Sequence, residues 1–248
     1  MIERGKDSCN NQTGNAGQLE VGMKKVLAIN GSPRMEKGNT AVILTPFLEG
    51  LQSAGAQVDL MYASQLKPKA CSCGELYCWN EKPGECCIHD GMQEVYPRLR
   101  ACDILVIATP VYIPLPGDLQ NFLNRLVALL KPVLAFQEGR TRARFRPEVH
   151  IRQFVLVASS GWWELENFDT VIRIVRELAL DAGVEFAGAI LRPHFYYMRS
   201  GGSLTAAGES VAAAVREAGQ ELILAGGFSG STLERIQNPL VSREKYYG

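Results

Sequence analysis

Short apolar runs alternate with amphipathic helical patterns along most of this chain, and few folds accommodate that order. KKVLAIN (24–30), DILVIATPVY (103–112) and RQFVLVASS (152–160) are nearly continuous aliphatic runs, as strands buried on both faces require. AQVDLMYAS (56–64) and VEFAGAILRP (184–193) bring the strands to five. Helical spacing falls between and after them, over TAVILTPFLEGLQSAG (40–55), PGDLQNFLNRLVALL (116–130), NFDTVIRIVRELALDAG (167–183) and LTAAGESVAAAVREAGQELILAG (204–226). In the second of these, Leu119, Phe122, Leu123, Leu126 and Leu130 share one face. Strands alternating with helices imply right-handed crossovers and a parallel sheet covered on both sides. The expectation is an α/β three-layer sandwich around a five-stranded sheet of order 2-1-3-4-5.

One such domain fits residues 23–228, with two insertions. The first, 67–90, is rich in cysteine. The second, 131–151, carries Arg140, Arg142, Arg144 and Arg146. Residues 1–22 are polar and rich in Gly and Asn, and read as a disordered leader, with Met23 a candidate start. No apolar run approaches the roughly 20 residues a membrane span needs, and the leader lacks the apolar segment of a secretory signal. Cytoplasm is therefore expected, with no membrane association. Basic and acidic residues balance at 26 each, so nothing global points to nucleic acid. Residues 229–248 form a C-terminal arm. Its Leu233, Ile236, Leu240, Val241, Tyr246 and Tyr247 are too apolar to be left in water. The arm is expected either to cross onto a partner subunit and help order the cysteine segment or flavin pocket there, or to fold back along its own domain.

Ligands of open α/β sheets bind beyond the carboxyl ends of the strands, and three strand ends here have unusual composition. In NGSPRMEKGNT (30–40), Gly31 and Gly38 allow tight turns, Asn39 and Thr40 stand where a helix begins, and Arg34 offers a fork for phosphate oxygens. Neither a Walker A loop nor a G-x-G-x-x-G pattern is present. In TPVYIPLP (109–116), three prolines stiffen the chain beside Tyr112, which suits a flat ring, although a hydrophobic turn packed on a helix would look the same. In SSGWWE (159–164), two hydroxyls, a glycine and two tryptophans describe a pocket wall. Together these ends describe a site for one phosphate and one planar ring, and FMN fits better than a dinucleotide.

G-S-P-R-x-x-x-G-N-T, T-P-V-Y-x-x-x-P-x-x-L-x-x-F-x-x-R and S-S-G-W-W-E-x-x-N-F-D resemble the NADPH-dependent FMN reductase family of flavodoxin-like fold. The resemblance is strongest to the iron–sulfur flavoproteins and their cluster-free relatives. It implies that Ser32, Arg34, Asn39 and Thr40 hold the FMN phosphate. Pro110, Val111, Tyr112 and Ile113 would line the flavin and ribityl chain, and Ser160, Gly161 and Trp162 would border the ring. No catalytic side chain is implied, since the flavin carries the chemistry. NAD(P)H would be the co-substrate, and a quinone, a flavin, a metal ion, a nitro compound or a protein would accept electrons. A homodimer or homotetramer is also implied.

The cysteine segment has three readings. Cys71, Cys73, Cys78 and Cys86, with Cys87 as an alternative ligand, could hold a 4Fe-4S cluster, although the family's opening C-x-x-C-x-x-C spacing is absent. A degenerate segment with cysteines as small apolar packers, or a zinc site, are the alternatives. With a cluster, the chain would be an electron carrier fed by a ferredoxin-like partner. A non-catalytic flavin-binding interaction protein is a third functional class. His194 reads as a packing or capping residue. The arginine loop reads as a solvated or interface surface, or as a site for NAD(P)H phosphates reaching over the flavin.

Overall fold

The computed structural model describes residues 23–248 except Glu75 and Glu138; the leader at 1–22 lies outside the described residues. The five expected strands form one parallel sheet. They are β1 (Lys25–Asn30), β2 (Gln57–Tyr62), β3 (Ile104–Pro110), β6 (Gln153–Ser159) and β7 (Glu185–Arg192), in the order β2-β1-β3-β6-β7. This is the flavodoxin-like arrangement, and the order changes direction between β1 and β3. Two short antiparallel pairs lie outside it, β4 (Ala135–Gln137) with β5 (Arg140–Arg142), and β8 (Arg199–Ser200) with β9 (Ser203–Leu204).

The side-chain period of two splits the core into two layers. Val26, Ala28, Val106, Val155 and Val157 face one side, under α1 (Asn39–Ser53) and α7 (Ala206–Ala225). Leu27, Ile29, Leu105, Ile107 and Leu156 face the other, under α4 (Met92–Ala101), α5 (Gly117–Arg125) and α6 (Asp169–Ala182). The central strands are buried along their whole length, which is why they read as unbroken aliphatic runs. Edge strand β2 is only half-buried, with no residue fully covered.

Three segments differ from the pattern reading. Helix α4 escapes it because Pro97 lies inside. A reciprocal cap, with Met92 N–H donating to Asp90 Oδ1 and Asp90 N–H to Gln93 Oε1, starts it nonetheless. The cysteine insertion is not bare loop: α2 (Ala63–Leu66) precedes it and α3 (Tyr77–Asn80) forms one turn within it. The C-terminal arm holds α8 (Gly230–Gln237) and α9 (Arg243–Tyr247) and folds back along its own domain, with α8 against α7 and β7. Among the described residues no helix is long and apolar enough to cross a membrane.

Candidate functional site

Beyond the carboxyl ends of β1, β3 and β6 lies a cavity of about 310 Å³. Ten of the residues implied by resemblance line it: Ser32, Arg34, Asn39, Thr40, Pro110, Val111, Tyr112, Ser160, Gly161 and Trp162. Ile113 does not; its side chain projects into solvent, 99% exposed, because the chain turns outward before Pro114. Ser159, Tyr196 and Tyr246 complete the wall. Ser159 lies inside the segment read as a pocket wall. Tyr196 and Tyr246 come from chain far beyond the motifs.

At the β1 end, a Cβ on Gly31 would sit 2.5 Å from Leu119 Cδ2, and one on Gly38 would sit 2.4 Å from Ser32 Oγ. Both positions therefore require glycine, and the loop can close on itself. Ser32 N–H donates to Asn30 Oδ1 at 2.9 Å, and Arg34 N–H to Ser32 Oγ at 3.3 Å. Gly38 is the N-cap of α1 and supplies no side-chain acceptor, so the first N–H groups of this 15-residue helix are left for another. Asn30 Nδ2 is buried without a partner. Helix N-terminus, hydroxyls and Arg34 suit a phosphate dianion, and no carboxylate lines the cavity.

The ring side is main chain and aromatics. Val111 N–H donates to Ser159 O and Trp162 N–H to Ser160 Oγ, fixing both turns. Tyr112, Trp162 and Tyr196 are half or more exposed around the mouth. The fit to FMN is good at both ends.

The model of the NADPH-dependent FMN reductase family matches residues 24–168, more than half of the chain. The chain belongs to that family. The matched span holds every cavity residue except Tyr196 and Tyr246. An iron–sulfur flavoprotein of Methanocaldococcus jannaschii is 38% identical over 108 residues, covering 43% of this chain and 52% of that protein. The iron–sulfur flavoprotein of Methanosarcina thermophila is 31% identical over 115 residues, covering 46% and 58%. The chain thus matches only about half the length of these curated relatives. Among solved structures, an NAD(P)H:quinone oxidoreductase from Methanothermobacter marburgensis aligns at a TM-score of 0.55 and 17% identity, covering 81% of this chain and 97% of that one. An FMN-dependent NADH-azoreductase from Bacillus anthracis aligns at 0.54 and 14%, covering 81% and 100%. Both establish the flavodoxin-like fold.

The cysteine segment packs against α5 and the turn after it, and no cysteine lines the cavity. Trp79 Nε1–H donates to Val127 O, and Arg146 donates to Cys78 O. Arg125 is fully buried; its guanidinium donates to Lys69 O, Ile88 O and both Asp90 carboxylate oxygens. Cys78 is buried, Cys73 and Cys86 half-buried, Cys71 and Cys87 exposed. Burial first, then the charges of Cys73, Cys86 and Cys71, pushes the Cys78 thiol up to about 11. Burial and then Cys73 and Cys86 likewise raise Cys87. By their chemistry Cys71, Cys73, Cys78 and Cys86 are the thiols that would hold a cluster. Among the described residues no three His, Cys, Asp or Glu side chains sit at the spacing of a single metal ion, so a zinc site is not preformed.

The arginine insertion touches the cysteine segment through Arg146 and α6 through Arg140 and Arg142. Arg142 donates to Glu177 and Asp181, and Arg140 to Glu177, on α6. Arg144 packs beside Gly183, at the amino end of β7. The expectation that this loop reaches over the flavin is therefore corrected: the β4–β5 hairpin is tied to α6, away from the cavity.

Proposed function

We propose that this family member is an FMN-dependent oxidoreductase that takes reducing equivalents from NAD(P)H and delivers them to a quinone, a flavin, a metal ion or a nitro compound. The observation that carries this reading is the cavity at the switch point, with anion donors at one end and aromatic walls at the other. Bound FMN would supply the redox chemistry. Ser32, Arg34, Asn39 and Thr40 would grip the phosphate. Pro110, Val111 and Tyr112 would hold one side of the ring, and Ser160, Gly161 and Trp162 another. The exposed rings of Tyr112, Trp162 and Tyr196 favour planar co-substrates stacking at the mouth. No carboxylate or imidazole in the wall is positioned as an acid or base, and none is required. A homodimer or homotetramer goes with this reading, supported by the exposed Val133, Leu134 and Phe136 on and beside the β4–β5 hairpin. The test is turnover. FMN-loaded protein should oxidise NADH or NADPH once one of these acceptors is supplied; no oxidation with any of them overturns the reading.

A second reading, an electron carrier with a 4Fe-4S cluster on Cys71, Cys73, Cys78 and Cys86, is supported by the iron–sulfur flavoproteins among the curated relatives. Protein purified without oxygen should then contain iron and sulfide and give an EPR signal on reduction. Metal-free protein under those conditions removes it.

A further inference from the structure

Arg192, at the end of β7, is completely buried and has no carboxylate partner among the described residues. Burial pulls its pKa down to about 10, so it remains a cation at neutral pH. Its guanidinium is consumed by the C-terminal segment and its own turn. One terminal nitrogen donates to Ile236 O at 2.5 Å and Asn238 O at 3.0 Å. Nε–H donates to Pro193 O at 2.8 Å, and the other terminal nitrogen to His194 Nε2 at 2.6 Å. That imidazole nitrogen also takes the Leu240 N–H at 3.0 Å. A buried charge satisfied in this way is strongly directional: it fixes where residues 236–240 leave the body.

What this anchoring delivers is α9, placed on the wall of the cavity. Trp163 Nε1–H donates to Val241 O at 3.4 Å, Tyr247 donates to Glu164 at 2.6 Å, and Tyr246 donates to Gly161 O at 2.7 Å. Tyr246 lines the cavity itself. The Gly161–Trp162 peptide is thereby held from both ends, its carbonyl by Tyr246 and its N–H by Ser160 Oγ at 3.0 Å. With its carbonyl taken by Tyr246, this peptide has one orientation toward the cavity instead of two.

We propose that Tyr246 is a positioning residue of the flavin site: the C-terminal segment, fastened by Arg192, fixes the Gly161–Trp162 peptide that would border the ring. The proposal rests on the flavin reading above. Its signature differs from that of the phosphate loop. Loss of Tyr246 disturbs the ring wall, so FMN and riboflavin weaken together, whereas loss of the phosphate donors weakens FMN far more than riboflavin.

The experiment compares wild type, Tyr246→Phe and a chain ending at Val241, which keeps every Arg192 contact. Dissociation constants for FMN and riboflavin are measured by fluorescence, with the visible circular dichroism of the bound flavin. Amide exchange of residues 160–163 is followed in flavin-free protein. Tyr246→Phe should weaken both flavins by about 2- to 12-fold, the range one neutral hydrogen bond contributes, and should change the dichroism. It should also speed exchange at Trp162. The shortened chain should do more of each. Wild-type affinity, dichroism and exchange in both variants overturn the proposal and leave the flavin reading standing. A wild-type chain that takes up no flavin overturns both.

Discussion

Thr40 Oγ1 and Ser159 Oγ lie 3.1 Å apart, joining the first turn of α1 to the end of β6 across 119 residues of chain. Both hydroxyls are buried, and both line the cavity. The phosphate end and the ring wall are therefore one connected surface, and a change at one should be readable separately from a change at the other.

The double variant Arg34→Ala/Thr40→Ala is expected to lose at least about tenfold in FMN affinity, since a charge-assisted hydrogen bond contributes about 1.5–3 kcal/mol. Riboflavin, which has no phosphate, should lose much less, and only through the broken Thr40–Ser159 contact. Titration of flavin-free protein with each ligand checks this. An unchanged preference for FMN would place the phosphate elsewhere.

Acid should weaken the fold through His194. Burial first and the neighbouring Arg192 charge second lower its pKa from 6.5 to about 4, against a main-chain contact with Trp163 that raises it. The unfolded chain takes this proton near 6.5 and the folded chain only near 4, so stability falls as pH drops through that window and levels off below it. Glu164, nearby, is held below its ordinary value by Tyr247 first, so its protonation lies lower. Melting temperature against pH should show the slope, and His194→Gln should flatten it. An equal slope in both proteins would assign the acid sensitivity to other groups.

Arg142→Gln should lower the melting temperature while leaving the KM for NADH or NADPH unchanged. The reason is that Arg142 is committed to Glu177 and Asp181. A KM raised several-fold with unchanged stability would return the arginine loop to the nucleotide site.

If the cluster of the second reading is present, iron content should separate the cysteines. Cys78, buried among the others, is expected to be indispensable, so Cys78→Ser should be iron-free after anaerobic purification. Cys87→Ser should keep its iron if Cys71, Cys73, Cys78 and Cys86 are the four ligands. Uptake should release protons and strengthen as pH rises, since the Cys78 thiol titrates only near about 11. Equal iron in both variants would mean that Cys78 is a packing residue.

Much of this was legible because the informative signals are local in the chain. Gly31, Ser32, Arg34, Asn39 and Thr40 sit on one turn, and turn chemistry needs no tertiary information. Alternation implied the parallel sheet, and its order followed from the economical topology for five strands. Tyr196 and Tyr246 were not legible as site residues, because their membership depends on where a distant segment docks. The apolar content of the arm signalled docking but not its address; Arg192 supplies that, and a buried arginine looks like any other in sequence. The nucleotide-site reading of the arginine loop rested on four like charges, but the carboxylate partners of Arg140 and Arg142 lie on α6 and Arg146 donates to main-chain carbonyls. Helix α4 was hidden by Pro97, though Asp90 and Gln93, three apart, carried its cap signal.

Arg125 gathers Lys69 O, Ile88 O and the Asp90 carboxylate around one guanidinium, so both stems of the cysteine segment meet at a single point on α5. A loop pinned at its stems can change length cheaply, at about 0.6 kcal/mol for each doubling. The segment is in effect an exchangeable cassette. Exposed cysteines between the stems, such as Cys71 and Cys87, can be respaced, added or dropped without reaching the core that Cys78 joins, so the irregular spacing seen here is compatible with an otherwise intact flavoprotein scaffold. Such a scaffold can gain or lose a metal centre in evolution while the flavin pocket stays under separate selection.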